Sequence, residues 1–274
     1  MADRPDRVPA EEVRRRMLDA GRELALEVGA ALTIEHLRLE EVIQRARVPR
    51  SSVYRMWPYR EDYIDDLLTY LAGAGSWFSD RTVLDPATLD LAIAVLADNK
   101  NLLATPDGRR ELMREVVRVV TTRNYESLTE SAPWRLHMAL ATTLGSTRTD
   151  AARRQIAAVL EDSQRRSRES IVAVFGYLSD ALGFRMRDPA WTASHMQLAG
   201  GLFVQATALR NLQVRAALDA GSADAATVDA LLNAELPGPG LNGKPAMWTL
   251  TAFAYLGIIE AFTELDPDFV PPSD

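Results

Sequence analysis

Apolar residues recur at three- and four-residue steps from Pro9 almost to the C-terminus, and no segment alternates β-branched residues with a period of two. That spacing lines apolar side chains along one face of a helix, so the pattern predicts an all-α protein. Helix starts are marked where a capping side chain stands near a proline or an acid. They fall at Asp85-Pro86, Thr105-Pro106-Asp107, Ser131-Ala132-Pro133, Thr149-Asp150 and Asp188-Pro189, and Pro9-Ala10-Glu11-Glu12 starts a helix with acids in its first turn, as the helix dipole prefers. One long helix is predicted from Asp150 to about Leu182, where Ile156, Leu160, Ser163, Ser167, Ile171, Val174, Leu178 and Leu182 repeat with helical spacing. Two further helices, Pro189 to Leu218 and Pro245 to Leu265, are mostly apolar and carry small residues such as Gly200, Gly201, Ala252 and Gly257. Helices with so few charges must be buried, either in their own core or against a second copy of the chain. Leu236 to Gly243, between them, has no periodicity and is predicted as a loop. The resulting division is a flexible tail over 1–8, a first domain over 9–72, a joint at Gly73-Ala74-Gly75-Ser76, a larger helical domain over 77–265 and a non-helical tail over 266–274.

The stretch Val42 to Arg60 stands out. It holds five arginines (Arg45, Arg47, Arg50, Arg55 and Arg60) and no carboxylate, in a chain whose formal net charge is −7. Local positive charge on an acidic protein suggests a surface that meets a polyanion. Ile43 closes a short helix, Ala46-Arg47-Val48 reads as a tight turn, and Pro49 suits the start of a new helix because its missing N–H needs no partner there. On that second helix Val53 and Trp57, with Met56 beside them, point inward. The i, i+4 pairs Arg50 with Tyr54 and Ser51 with Arg55 lie on the opposite side. An apolar back and a front of guanidinium, hydroxyl and phenol groups are what the recognition helix of a helix-turn-helix needs.

Residues Val13 to Leu68 resemble the N-terminal DNA-binding domain of TetR-type transcriptional regulators. The resemblance rests on Met17 to Gly29 as the first helix, on Leu39 to Val48 followed by Arg50 to Arg55 as the helix-turn-helix, and on Trp57-Pro58-Tyr59-Arg60-Glu61-Asp62 at the start of the fourth helix. Three departures matter, and they bear on the link and the turn and not on the domain. The link Gly29 to Leu39 is longer than usual, so that Ala30 to His36 form an added element. Arg47 replaces the usual turn glycine, at a cost of about 1 kcal/mol if its backbone is left-handed. Pro49 replaces the usual small capping residue. The expected DNA contacts are Arg47, Arg50, Ser51, Ser52, Tyr54, Arg55, Tyr59 and Arg60. Arginine suits guanine, the hydroxyls suit phosphates or base edges, and Tyr59 with Arg60 at a helix N-terminus suits one phosphate. Arg4 and Arg7 could act as a minor-groove arm or make no contact. Glu35, Glu40 and Glu41 oppose DNA and are expected to point away from it.

The resemblance further implies a repressor that binds a double-stranded DNA operator as a homodimer, through the helices near 189–218 and 245–265, and is released by a small-molecule effector. Met113, Trp134, Met138, Trp191, Met196 and Phe203, with Trp248 and Tyr255, could line an effector cavity or could simply be core. The few charges in the apolar helices favour an uncharged or hydrophobic ligand. The polar middle of the long helix, Glu161 to Glu169, reads as a second DNA-facing patch or as a solvated face with pairs such as Glu161–Arg165 and Arg165–Glu169.

Composition narrows the remaining classes. A hydrophobic share of 47% with 25% charged residues fits an ordinary globular protein. The absence of cysteine excludes disulfides, thiolate metal sites and cysteine nucleophiles. No apolar run approaches the ~20 residues that span a bilayer, and the first residues lack a signal-peptide core, so a cytoplasmic protein is expected. His36, His137 and His195 have no sequence-local partners, and no catalytic or phosphate-loop motif is present. His137 and His195 read as polar groups of a helical core. The chain is therefore read as a non-enzyme without metal or cofactor. The alternative is a helical ligand-binding or scaffold protein whose helix-turn-helix no longer binds DNA.

Overall fold

The computed structural model describes residues 9–27, 37–74, 86–144 and 149–271. Among these the chain forms α1 (Ala10–Glu27), α2 (Leu39–Ala46), α3 (Arg50–Met56), α4 (Arg60–Ala74), α5 (Pro86–Asp98) and α6 (Pro106–Glu130). It continues through α7 (Ala132–Thr143), α8 (Asp150–Leu182), β1 (Phe184–Met186), α9 (Ala193–Asp219) and α10 (Ala223–Leu232). It ends with β2 (Glu235–Pro239), β3 (Pro245–Thr249), α11 (Leu250–Phe262) and β4 (Thr263–Leu265). The strands make two short antiparallel ribbons, β1 with β4 and β2 with β3, so the fold is all-α in character as the periodicity predicts. Among the described residues no helix is long and apolar enough to cross a membrane.

Two compact units divide the chain. The first takes the described residues of Met1–Asp80 together with Ser131–Arg165. Its core is built by Val13, Met17, Leu18 and Leu24 of α1, Val42 and Ile43 of α2, Val53 of α3 and Tyr63, Leu67 and Leu71 of α4. Leu140 of α7 and Ile156 and Leu160 of α8 join the same core. That is why Ser131–Arg165, which the sequence pattern assigns to the second domain, belongs with the N-terminal helices instead. The crossing of α1 and α4 is close: the Tyr63 hydroxyl donates to the Met17 carbonyl at 3.0 Å, and a methyl group on Gly21 would run into that hydroxyl.

The second unit takes the described residues of Arg81–Glu130 and Arg166–Asp274. Leu112, Met113 and Val117 of α6 meet Leu182, Met196, Trp248, Ala252, Leu256 and Ile259 in its main core. Trp248 is fully buried and donates through Nε1 to the Pro239 carbonyl at 2.9 Å, which ties β3 back to β2. Asn211 of α9, also buried, donates to the Tyr125 hydroxyl at 2.5 Å.

The predicted long helix is found between its expected ends, with Thr149 capping it by accepting from the Ala152 amide at 3.1 Å. Within its polar middle, Arg165 pairs with Asp162 at 2.6 Å. The two apolar helices are shorter than predicted. Asp188 spends its carboxylate on the Ala190 amide in a turn, and the helix starts only where Thr192 and His195 form a capping box, so α9 begins at Ala193 and not at Pro189. His195 is thus an exposed cap, whereas the sequence suggested a core histidine. The predicted Pro245–Leu265 helix is trimmed at both ends by β3 and β4. The first half of the predicted loop Leu236–Gly243 is strand β2, in register with β3 from Glu235↔Thr249 to Pro239↔Pro245, and Leu241–Gly243 form a single 3-10 turn. Prolines are compatible with a two-stranded ribbon, where every strand is an edge, but they erase the alternation by which a strand is recognised. The tail 1–8 with Arg4 and Arg7, the element Ala30–His36 with Glu35, and Gly75-Ser76 of the joint lie outside the described residues.

Candidate nucleic-acid interface

The turn between α2 and α3 takes the form the sequence suggests. Arg47 adopts a left-handed backbone, φ 51° and ψ 48°, and its amide returns to the Gln44 carbonyl at 3.3 Å. Pro49 is the residue immediately before α3, and its carbonyl accepts from the Ser52 amide at 3.0 Å. No side chain caps that end, since proline has none to offer. Behind the helix Val53 is fully buried and Trp57 nearly so, with Met56 packed half-buried beside them.

A carboxylate locks the end of α3 in place. Asp66 on α4 accepts from Trp57 Nε1 at 3.0 Å and from the Arg14 guanidinium of α1 at 3.0 and 3.2 Å. The Trp57 ring meets the Tyr63 ring edge-on, with centroids 5.2 Å apart. Asp66 therefore joins three helices through one side chain, and none of its partners lies within a helical turn of it in the sequence.

The front of α3 is polar and open. Ser51 and Arg55 are exposed, Ser52 is half-buried, and Tyr54 keeps 47% and Tyr59 70% of their surface in solvent. Among the described residues Arg47 and Arg55 have no ion-pair partner. Two of the expected contacts are otherwise engaged. Arg50 is ion-paired with Glu40 of α2, and the Tyr54 hydroxyl donates to the same carboxylate at 2.9 Å. Accepting that bond, Glu40 pushes the Tyr54 phenol above its ordinary value. The expectation that Glu40 points away from the candidate DNA-facing side of α3 is thus corrected: it holds two side chains of that side, Arg50 and Tyr54. Nothing in helical spacing signals this, because the contact crosses from one helix to the next.

The expected phosphate clamp at the start of α4 is also partly occupied. Arg60 is half-buried and donates from Nε and Nη2 to the Leu37 carbonyl at 3.3 and 3.1 Å, which fixes the chain entering α2. Asp62 accepts from the Tyr59 amide at 3.3 Å, placing a carboxylate where a phosphate would need a donor. Arg45 is tied to Glu27 of α1 at 2.6 Å, which holds the Glu27 carboxyl below its usual range.

The residues proposed for an effector cavity are divided between the two units. Met113 and Met196 share the main core of the second unit, where Trp248 also lies. Trp134 is buried and Met138 half-buried, both on α7 of the first unit. Trp191 is exposed and leans on Phe262, with ring centroids 5.1 Å apart; Phe203 is half-buried on α9. His137 is buried on α7, with Nε2 2.7 Å from Gln164 Nε2, and burial pushes it down to about 4. Since the amide nitrogen can only donate, that ring nitrogen accepts and the ring is neutral. On the second unit α9 exposes Leu198 and Leu202, α11 exposes Phe253, and a side chain at Gly257 would meet nothing. Neither a protein-family model nor a curated protein matches the chain.

Proposed function

We propose that this chain is a sequence-specific, double-stranded-DNA-binding transcriptional regulator of the TetR type, a homodimeric repressor released by a small-molecule effector and acting in the cytoplasm. The observation that carries the reading is the α2–turn–α3 arrangement. A left-handed turn at Arg47 joins two short helices, and the second buries Val53 and Trp57 while presenting Ser51, Tyr54 and Arg55 to solvent. Arg47 and Arg55 are the cations ready for first phosphate contacts, and Arg50 and Tyr54 join once they exchange Glu40 for DNA. The exposed apolar side chains of α9 and α11 support the dimer, because Leu198, Leu202 and Phe253 are costly to leave in water. An effector acts by binding the DNA-incompetent state more tightly than the other.

One observation favours a second reading, a helical ligand-binding or scaffold protein that no longer binds DNA: the neutralisation of Arg50 by Glu40. Selection of binding sites from random duplex DNA with the purified full chain separates the two, since only the first reading expects an enriched palindrome. On the selected site, Arg50→Ala and Tyr54→Ala should each cost ~1–3 kcal/mol of binding with the fold retained. Unchanged gel-shift affinity in both variants would remove α3 as the recognition helix.

A further inference from the structure

Arg109, in the first turns of α6, is buried to 7% exposure, and its Nη1 has no hydrogen-bond partner. Its guanidinium lies over the ring of Phe269, 4.5 Å from the centroid, and against Gly183, whose φ of 66° brings the backbone in so closely that a Cβ would strike both side chains. A ring face attracts the cation but satisfies none of its N–H groups, which point outward in the guanidinium plane. The neighbouring acids are committed elsewhere. Asp107 pairs with Arg110 at 2.7 Å, and Glu111 accepts from the Asn242 amide at 2.7 Å. Asp266 accepts from the Asp268 amide at 3.0 Å and stands 4.0 Å from Arg185. Among the described residues no carboxylate reaches Arg109.

Arginine stays charged at any pH a protein survives, and a buried charge without a counter-ion is costly. We infer that Arg109 anchors a binding site for a small molecule bearing an oxyanion, a carboxylate or a phosphate, taken in the plane of the guanidinium beside the Phe269 ring. The fork of N–H groups matches such a group with two parallel bonds. This gives the second unit an anionic ligand where its uncharged helices suggested a neutral one. The site stands whether or not the first unit binds DNA.

The test is thermal unfolding of the full chain in acetate, benzoate or inorganic phosphate against chloride at matched ionic strength. At least one oxyanion should raise the wild-type midpoint saturably, and which one does so tells carboxylate from phosphate. Arg109→Met should lose that shift and, freed of an unpaired charge, be no less stable than wild type in chloride. Arg109→Lys, which keeps the charge without the fork, should show a smaller shift. The inference is overturned if no oxyanion stabilises wild type beyond chloride, or if all three proteins shift alike. In either case Arg109 serves only to clamp the segment carrying Phe269.

Discussion

Glu40 reaches from α2 to two side chains of α3, and in the proposed function that one carboxylate sets how the recognition surface behaves without DNA. It cancels the charge of Arg50 and holds the Tyr54 hydroxyl at 2.9 Å, so both must be released before they can contact a duplex. Glu40→Gln keeps the shape and removes the charge. It should tighten binding to random-sequence duplex several-fold and steepen the salt dependence by about one phosphate contact. Unaltered affinity across a salt titration would mean that the pair imposes no brake. His137 is the other residue with a measurable consequence. Its folded value of about 4 lies below the ordinary 6.5, so the unfolded chain takes up a proton that the folded chain refuses. The stability this confers is complete above about pH 6.5 and is lost as pH falls towards 4. Between pH 7 and 5 the loss should be about 2 kcal/mol. Urea midpoints at the two pH values check it: His137→Gln should lose that share of the acid sensitivity, and an unchanged pH dependence would show that the ring titrates normally.

At the scale of elements, what the sequence made legible and what it hid follow from the range of the forces involved. Capping and periodicity act within a few residues, so α8, the caps at Ser131 and Thr149, and the turn at Arg47 could all be read from neighbours in the chain. The ribbons β1–β4 and β2–β3 depend on partners far away or on strands broken by proline, and α10 was not distinguished from its surroundings at all. The recognition surface divides the same way. The inward Val53 and outward Arg55 follow from helical spacing, while the Glu40 contacts and the Arg60 bond to Leu37 connect separate elements and leave no local trace. The turn itself offers a test of its departure from a glycine. Arg47 sits at φ 51°, where a side chain is strained. Arg47→Gly should therefore stabilise the first unit by about 0.5–1 kcal/mol, the relief of strain exceeding the entropy added to the unfolded chain. The same change removes a free cation and should weaken DNA binding. A variant that is less stable than wild type in denaturant would show that the Arg47 side chain contributes more to the turn than its backbone costs.

For the whole molecule the proposed function turns on how many copies act together, because a regulator of that kind reads a palindromic site with two recognition helices. The exposed apolar side chains of α9 and α11 are the surface on which that depends. Leu198, Leu202 and Phe253 leave 52%, 59% and 44% of their surface exposed, and at Gly257, one turn along α11 from Phe253, a side chain would meet nothing. Within the unit α9 and α11 already approach tightly, since Gly200 leaves no room for a side chain against Tyr255. The outward faces are thus carried on a closely packed pair, and close packing lowers the entropy that docking a second copy would cost. A carboxylate at Leu202 or Phe253 would have to be desolvated at such an interface without a counter-ion. Leu202→Glu and Phe253→Glu should accordingly turn a dimer into a monomer in sedimentation equilibrium and reduce operator affinity with the helical content unchanged. Leu231→Glu serves as the control: that leucine is 63% exposed and belongs to α10, not to either helix of the proposed interface, so the dimer should survive its replacement. A wild-type chain that sediments as a monomer, or Leu202 and Phe253 variants that remain dimeric, would move the interface away from α9 and α11.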